Sequence, residues 1–148
     1  MTATVPAATT SATASATTRV PGRRVHRAVW ALQILLALFF AVASAGPKLV
    51  GHASAAESFD RIGFGDWFMY LTGSLELAGA IALVVPVLSG LSALALIGLM
   101  GGALITQLTV FDGQNALTPV VFAVLLAVVA RVRRDRTARL FALVRERF

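Results

Sequence analysis

Four apolar runs dominate the chain, at residues 28–46, 67–88, 91–111 and 115–130, each bounded by glycine, proline or charged residues. A helix that crosses a bilayer needs roughly 17 to 25 apolar residues. The pattern therefore predicts an all-α membrane protein built as a bundle of four transmembrane helices. The fourth run is the shortest: its apolar core, 117–130, must be extended by flanking residues or by snorkelling of Arg131, Arg133 and Arg134. Turn chemistry marks the boundaries. Gly46-Pro47 is expected to close the first helix, Ser89-Gly90 to link the second and third, and Asp112-Gly113-Gln114-Asn115 to turn into the fourth, with Thr118-Pro119 as cap and first-turn proline. Between the first two spans, ASAAESFDRIGFG predicts a short surface helix with Phe59 and Ile62 on one side, ended by Gly63.

Composition agrees with this reading. Hydrophobic residues make up 57% of the 148 and charged residues only 14%, whereas soluble domains carry about a quarter charged. A lipid-facing surface accounts for the missing charge. The absence of cysteine excludes thiol–disulfide relays, iron–sulfur clusters and thiolate zinc sites within the chain.

The distribution of the cationic residues sets the expected orientation. Of the 13 Lys and Arg, four precede the first run, seven follow the fourth, and only Lys48 and Arg61 lie between the first two. Positive charge is retained on the cytoplasmic side, so both termini are expected there, in the cell membrane. An even number of spans gives the same answer.

The flanks read differently from the centre. Residues 1–27 form an Ala/Thr-rich, then basic, tail with too little apolar side chain to pack a core, and are expected to be disordered. The basic flank, apolar run and Ala43-Ser44-Ala45 triplet imitate a secretory signal, but an 18-residue run to Ala45 exceeds a signal core of roughly 7 to 15, so an uncleaved first span is expected. Residues 131–148 carry Leu140, Leu143 and Val144 at helical spacing among arginines. That is the pattern of a basic amphipathic helix on an anionic leaflet, or of an extension of the fourth span, rather than of a nucleic-acid binder.

Chemistry concentrates on one residue. Glu76 sits inside the run TGSLELAGAIALVVP, where an acid costs roughly 2.5 to 3.5 kcal/mol on insertion scales. Such residues face a bundle interior and a partner. At about 1.5 Å per residue Glu76 lies about 13 Å below Trp67, while Lys48 stands at the end of the first helix, so a direct ion pair between them looks stretched; Gln107 is a second candidate donor. Ser44, Tyr70, Thr72, Ser74, Thr106 and Thr109 sort to the same half of the membrane, which suggests an outward-opening polar pocket with Lys48, Trp67, Tyr70, Glu76 and Gln107 as candidate lining. Gly73 and Gly79 share a face with Glu76, and Gly98-x-x-x-Gly102 puts a small stripe on the third helix, for close helix packing or for a pocket wall. Glu76 itself reads either as a structural acid tying helices together or as a proton-responsive, ligand-contacting group. His26 and His52 flank the first helix on opposite sides and cannot share a metal or haem. No phosphate loop, dinucleotide glycine pattern or serine elbow is present.

The succession AGPKLVG (45–51), FGDWFMYLTGSLELAGAIALVVP (64–86) and MGGALITQL (100–108) resembles the DoxX-like family of small four-helix membrane proteins. The resemblance implies a four-helix bundle and puts Lys48 and Glu76 on the family's recurrent lysine and glutamate. Many members carry a histidine where this chain has Gln107, which removes a titratable group here. Relatives include a subunit of a thiosulfate:quinone oxidoreductase and members of redox-protective complexes, with distant relatives in receptor assembly and cargo export. The expected role is an accessory component of a redox or quinone-linked membrane assembly, alone or as a homo-oligomer. It would have no intrinsic catalytic residue or metal, and its bound quinone or lipid, or a redox-protein partner, would supply any electron carrier. A non-catalytic assembly factor and a small proton-coupled carrier are the alternatives.

Overall fold

A computed structural model describes residues 22–146; the N-terminal tail reading falls outside them for residues 1–21. Every regular element among the described residues is helical: α1 (Arg23–Leu49), α2 (Ala53–Ile62), α3 (Asp66–Val84), α4 (Ser89–Thr109) and α5 (Leu117–Arg145). In hydrocarbon a backbone must satisfy its own polar groups, and helices do so within one segment. Three of the five, α1, α3 and α4, are long and apolar enough to cross a membrane. The apolar part of α5 is followed by Arg131, Arg133 and Arg134.

The first helix starts at Arg23, so residues 23–27, expected to belong to a disordered tail, are helical, and two further boundaries differ from expectation, both at prolines. Gly46-Pro47 does not close α1. The helix passes through it because residues Phe39–Ala45 adopt π-helical turns just before, and Pro47 enters in the first turn of the α-segment Gly46–Leu49. An interior proline lacks the N–H for its ladder bond and crowds the carbonyl four residues back; the wider π turns make room for the ring. The chain leaves the helix only at Gly51, with φ +65. Ser89-Gly90, in turn, is not the link between α3 and α4 but the first turn of α4, and both residues are buried. The break comes earlier, at Val85 (ψ 117), because a residue preceding proline is driven out of the helical region and Pro86 follows.

Of the other expected boundaries, one shifts slightly: α5 begins at Leu117, so Thr118 lies inside its first turn instead of capping it, while Pro119 does sit in that turn. Gly63 ends α2 in the left-handed conformation at φ 87, and Asp112 and Gly113 turn the chain toward α5 with φ of 51 and 76. α5 then runs unbroken to Arg145, so the basic segment continues the last helix instead of forming a separate one. The side chains of Leu140, Leu143 and Val144 lie outside those described.

Leu36 and Phe40 of α1, Ala80 and Leu83 of α3, Ala93 and Leu96 of α4, and Leu126 and Val129 of α5 form the core. Phe39 and Phe122 stack at 4.1 Å along the α1/α5 seam. No more than 28% of each candidate span is buried. Outward-facing Leu35, Val42, Leu75, Ile81, Leu94 and Ile105 make up much of the rest, an apolar exterior that fits lipid rather than water.

Candidate functional site

The bundle holds two polar nodes, one toward each end of α1. At the first, Lys48 Nζ lies 2.7 Å from Glu76 Oε2. It also donates to the Ser44 carbonyl at 3.1 Å and to Ser44 Oγ at 3.0 Å. Ser44 Oγ in turn donates to Glu76 Oε2 at 3.0 Å. An ammonium has three protons, and here each has an acceptor. Glu76 is 3% exposed.

The pair is not stretched, and the backbone shows why. Because α1 continues past Pro47, Lys48 is a helical residue, and a helical side chain tilts back toward its own N-terminus, which carries Nζ down to the level of Ser44. Gly73 lets the two helices close on each other: a Cβ there would lie 2.9 Å from Lys48 Cβ and 3.3 Å from Leu49. Glu76, three residues further along α3, then meets the ammonium. Any side chain at 73 would push the stem of Lys48 away.

At the second node Arg133 is buried, 3% exposed. Its Nε and Nη2 donate to Gln33 Oε1 at 3.0 and 2.7 Å, and Nη1 lies 3.3 Å from His26 Nδ1. Gln33 Nε2 donates to the Leu83 carbonyl at 2.7 Å. That carbonyl belongs to the last turn of α3, where acceptors have no partner within the helix. Arg133 therefore turns inward rather than snorkelling. Sequence reasoning missed this node. The available signal was Gln33, a polar residue in an apolar helix, at the depth where the fourth run meets its arginines.

The other predicted site residues are dispersed. Tyr70 approaches the α1–α2 turn, its hydroxyl 2.9 Å from where a Cβ at Gly51 would stand. Trp67 is 64% exposed and packs edge-on to Phe68. Gln107 does not join Glu76. Leu96 packs on Gly79, so in antiparallel helices Leu99 stands opposite Glu76, and Gln107 lies eight residues, about 12 Å, nearer the end of the bundle. Its Oε1 is buried without a hydrogen-bond partner. Thr72, Thr106 and Thr109 donate to carbonyls four residues back in their own helices, which satisfies them locally. Gly79 is a packing glycine: a Cβ there would come within 2.7 Å of Leu96, and Ser92 Oγ donates to the Gly79 carbonyl at 2.6 Å. Gly98 and Gly102 are not, since a Cβ at either would meet nothing within 4 Å. The expected packing stripe lies on the open face of α4.

Among the described residues, two of the grooves between helices are mainly apolar. One, of about 320 Å³, runs between α3 and α4 past Leu75, Gly79 and Leu96. The other, of about 360 Å³, runs between α4 and α5. Neither is lined by Lys48 or Glu76.

Residues 31–129, the whole bundle apart from the ends of α1 and α5, match the profile of the DoxX-like family. The chain belongs to the DoxX-like family. No curated protein and no solved structure matches it. The matched region of this DoxX-like chain contains Gln33, Ser44, Lys48 and Glu76 but stops short of Arg133.

Proposed function

We propose that this DoxX-like protein crosses the cell membrane four times, with both termini cytoplasmic and α2 on the outer surface, and serves as an accessory subunit of a redox or quinone-linked membrane assembly. The charge bias supports the topology: Arg19, Arg23, Arg24 and Arg27 lie before or in the first turns of α1 and arginines follow the apolar half of α5, whereas Lys48, in the last turn of α1, and Arg61 of α2 are the cations at the opposite end. The observation that carries the role is the saturated Ser44–Lys48–Glu76 network, which fixes α1 against α3 in a chain without cysteine. Such a chain lends a scaffold, and electrons are carried by a bound quinone or by a partner's redox group. The α3/α4 groove, apolar apart from Ser92, whose hydroxyl is taken up by the Gly79 carbonyl, suits an isoprenoid tail. Mass spectrometry of quinones, lipids and proteins that copurify in mild detergent tests the proposal. A quinone or redox protein is expected with the wild type and is depleted with Glu76→Gln; finding neither with the wild type contradicts it.

A second reading, a non-catalytic assembly factor, is favoured by one feature: Gly98, Gly101 and Gly102 form an open small-residue face on α4, of the kind that lets another membrane helix approach closely. On that reading Glu76→Gln lowers the yield of a protein partner while no quinone accompanies the wild type.

A further inference from the structure

The α4/α5 groove ends at a charged mouth. Its walls include Ile97, Gly101 and Leu104 of α4 and Pro119, Ala123 and Ala127 of α5, with no polar side chain among its lining residues. Beyond Ala127, the same face of α5 carries Arg131 and Arg134, four and seven residues on, and so about 6 and 10 Å further along the helix. Both are exposed, in contrast to Arg133 between them, which turns into the bundle. Asp135 lies 3.7 Å from Arg134, each 80% exposed. At that exposure the pair is held weakly, and the two arginines and one aspartate leave one net positive charge at the mouth.

We infer that this groove is a binding site for an anionic phospholipid, one acyl chain lying between α4 and α5 and the headgroup phosphate held by Arg131 and Arg134. The apolar walls suit a chain and offer a headgroup no donor; the arginines offer a phosphate up to two planar forks and suit no chain. One net positive charge matches a phosphodiester with an uncharged headgroup, and disfavours a zwitterionic lipid. The inference rests on the reading that α5 crosses the bilayer, and does not depend on the redox role.

The test is native mass spectrometry of the delipidated full-length protein in detergent. It is titrated with phosphatidylglycerol, with phosphatidylcholine of the same acyl chains, and with water-soluble glycerol phosphate. Phosphatidylglycerol is expected to bind tightest and glycerol phosphate not to bind. Arg131→Gln and Arg134→Gln should each weaken phosphatidylglycerol roughly fivefold. Gly101→Leu, at a position where an added side chain meets open space, should block the chain while leaving the fold intact. Arg23→Gln/Arg24→Gln, at the exposed start of α1, serves as the control and should retain binding. Equal affinity for the two phospholipids, binding of glycerol phosphate, an unaltered Arg131→Gln/Arg134→Gln variant, an unaltered Gly101→Leu variant, or an equal loss in the α1 control would each overturn the site. Labelling by an impermeant maleimide from outside intact cells reports the crossing of α5 separately: Asn115→Cys is expected to react and Glu146→Cys, past the end of α5, to be protected; reaction of both or of neither overturns the topology, whatever the titration shows.

Discussion

At the Lys48 end of the bundle an ammonium meets a carboxylate directly; at the Arg133 end a guanidinium meets the oxygen of an amide, and the amide's own N–H reaches a helix carbonyl. Both arrangements place a cation inside an apolar bundle, where an unpaired charge costs several kcal/mol. The first offsets that cost with a full opposite charge on the neighbouring helix. The second uses Gln33 as a relay: its oxygen takes the guanidinium, and its nitrogen takes a carbonyl in the last turn of α3, the end at which a helix presents negative partial charge. The direct pair is intolerant, because Glu76 alone is a buried charge and Lys48 alone a half-buried one. The relay passes part of its charge to dipoles, through Gln33 and the Leu83 carbonyl, and Arg133 stands near the arginine-rich end of α5.

This contrast can be broken by removing one member of each node. Lys48→Met should have the largest effect, destabilising the protein by about 3 to 5 kcal/mol in SDS-titration unfolding, since Glu76 is left with Ser44 alone. Gln33→Leu should cost less, about 2 to 3 kcal/mol by the same assay, because Arg133 loses its amide acceptor and the Leu83 carbonyl its donor. Equal losses would mean that the relay is as unforgiving as the direct pair. Smaller still is the steric comparison. Gly79→Ala should lower stability by about 1 to 3 kcal/mol as its methyl group meets Leu96, whereas Gly98→Ala should stay within about 0.5 kcal/mol.

The glycine pair also shows what the sequence could carry. Helix positions were legible because each span is a continuous apolar run, and Glu76 stood out because a carboxylate among aliphatics is expensive. Which face of a span looks inward was not legible. In a soluble helix the apolar side is the buried one, but here lipid makes the exterior apolar as well, so Gly98 and Gly79 look alike until the neighbours of each are known. The Lys48–Glu76 contact was half legible. Both residues could be named, but their separation was overestimated because Gly46-Pro47 reads as a helix end, and the π-helical turns that carry α1 through it leave no mark in the pattern of residue types. The Gln33–Arg133 contact joins residues 100 positions apart, and an arginine at the end of an apolar run reads equally well as a snorkelling one.

The account turns on the claim that Lys48 and Glu76 act as one unit that fixes α1 against α3. A double-mutant cycle measures it directly: unfolding free energies of the wild type, Lys48→Met, Glu76→Leu and the double variant, all in the same mixed micelles. The predicted result is strong coupling, with the double variant losing at least about 2 kcal/mol less than the sum of the two single losses, because removing both partners leaves no buried charge behind. Single losses that simply add would contradict the claim.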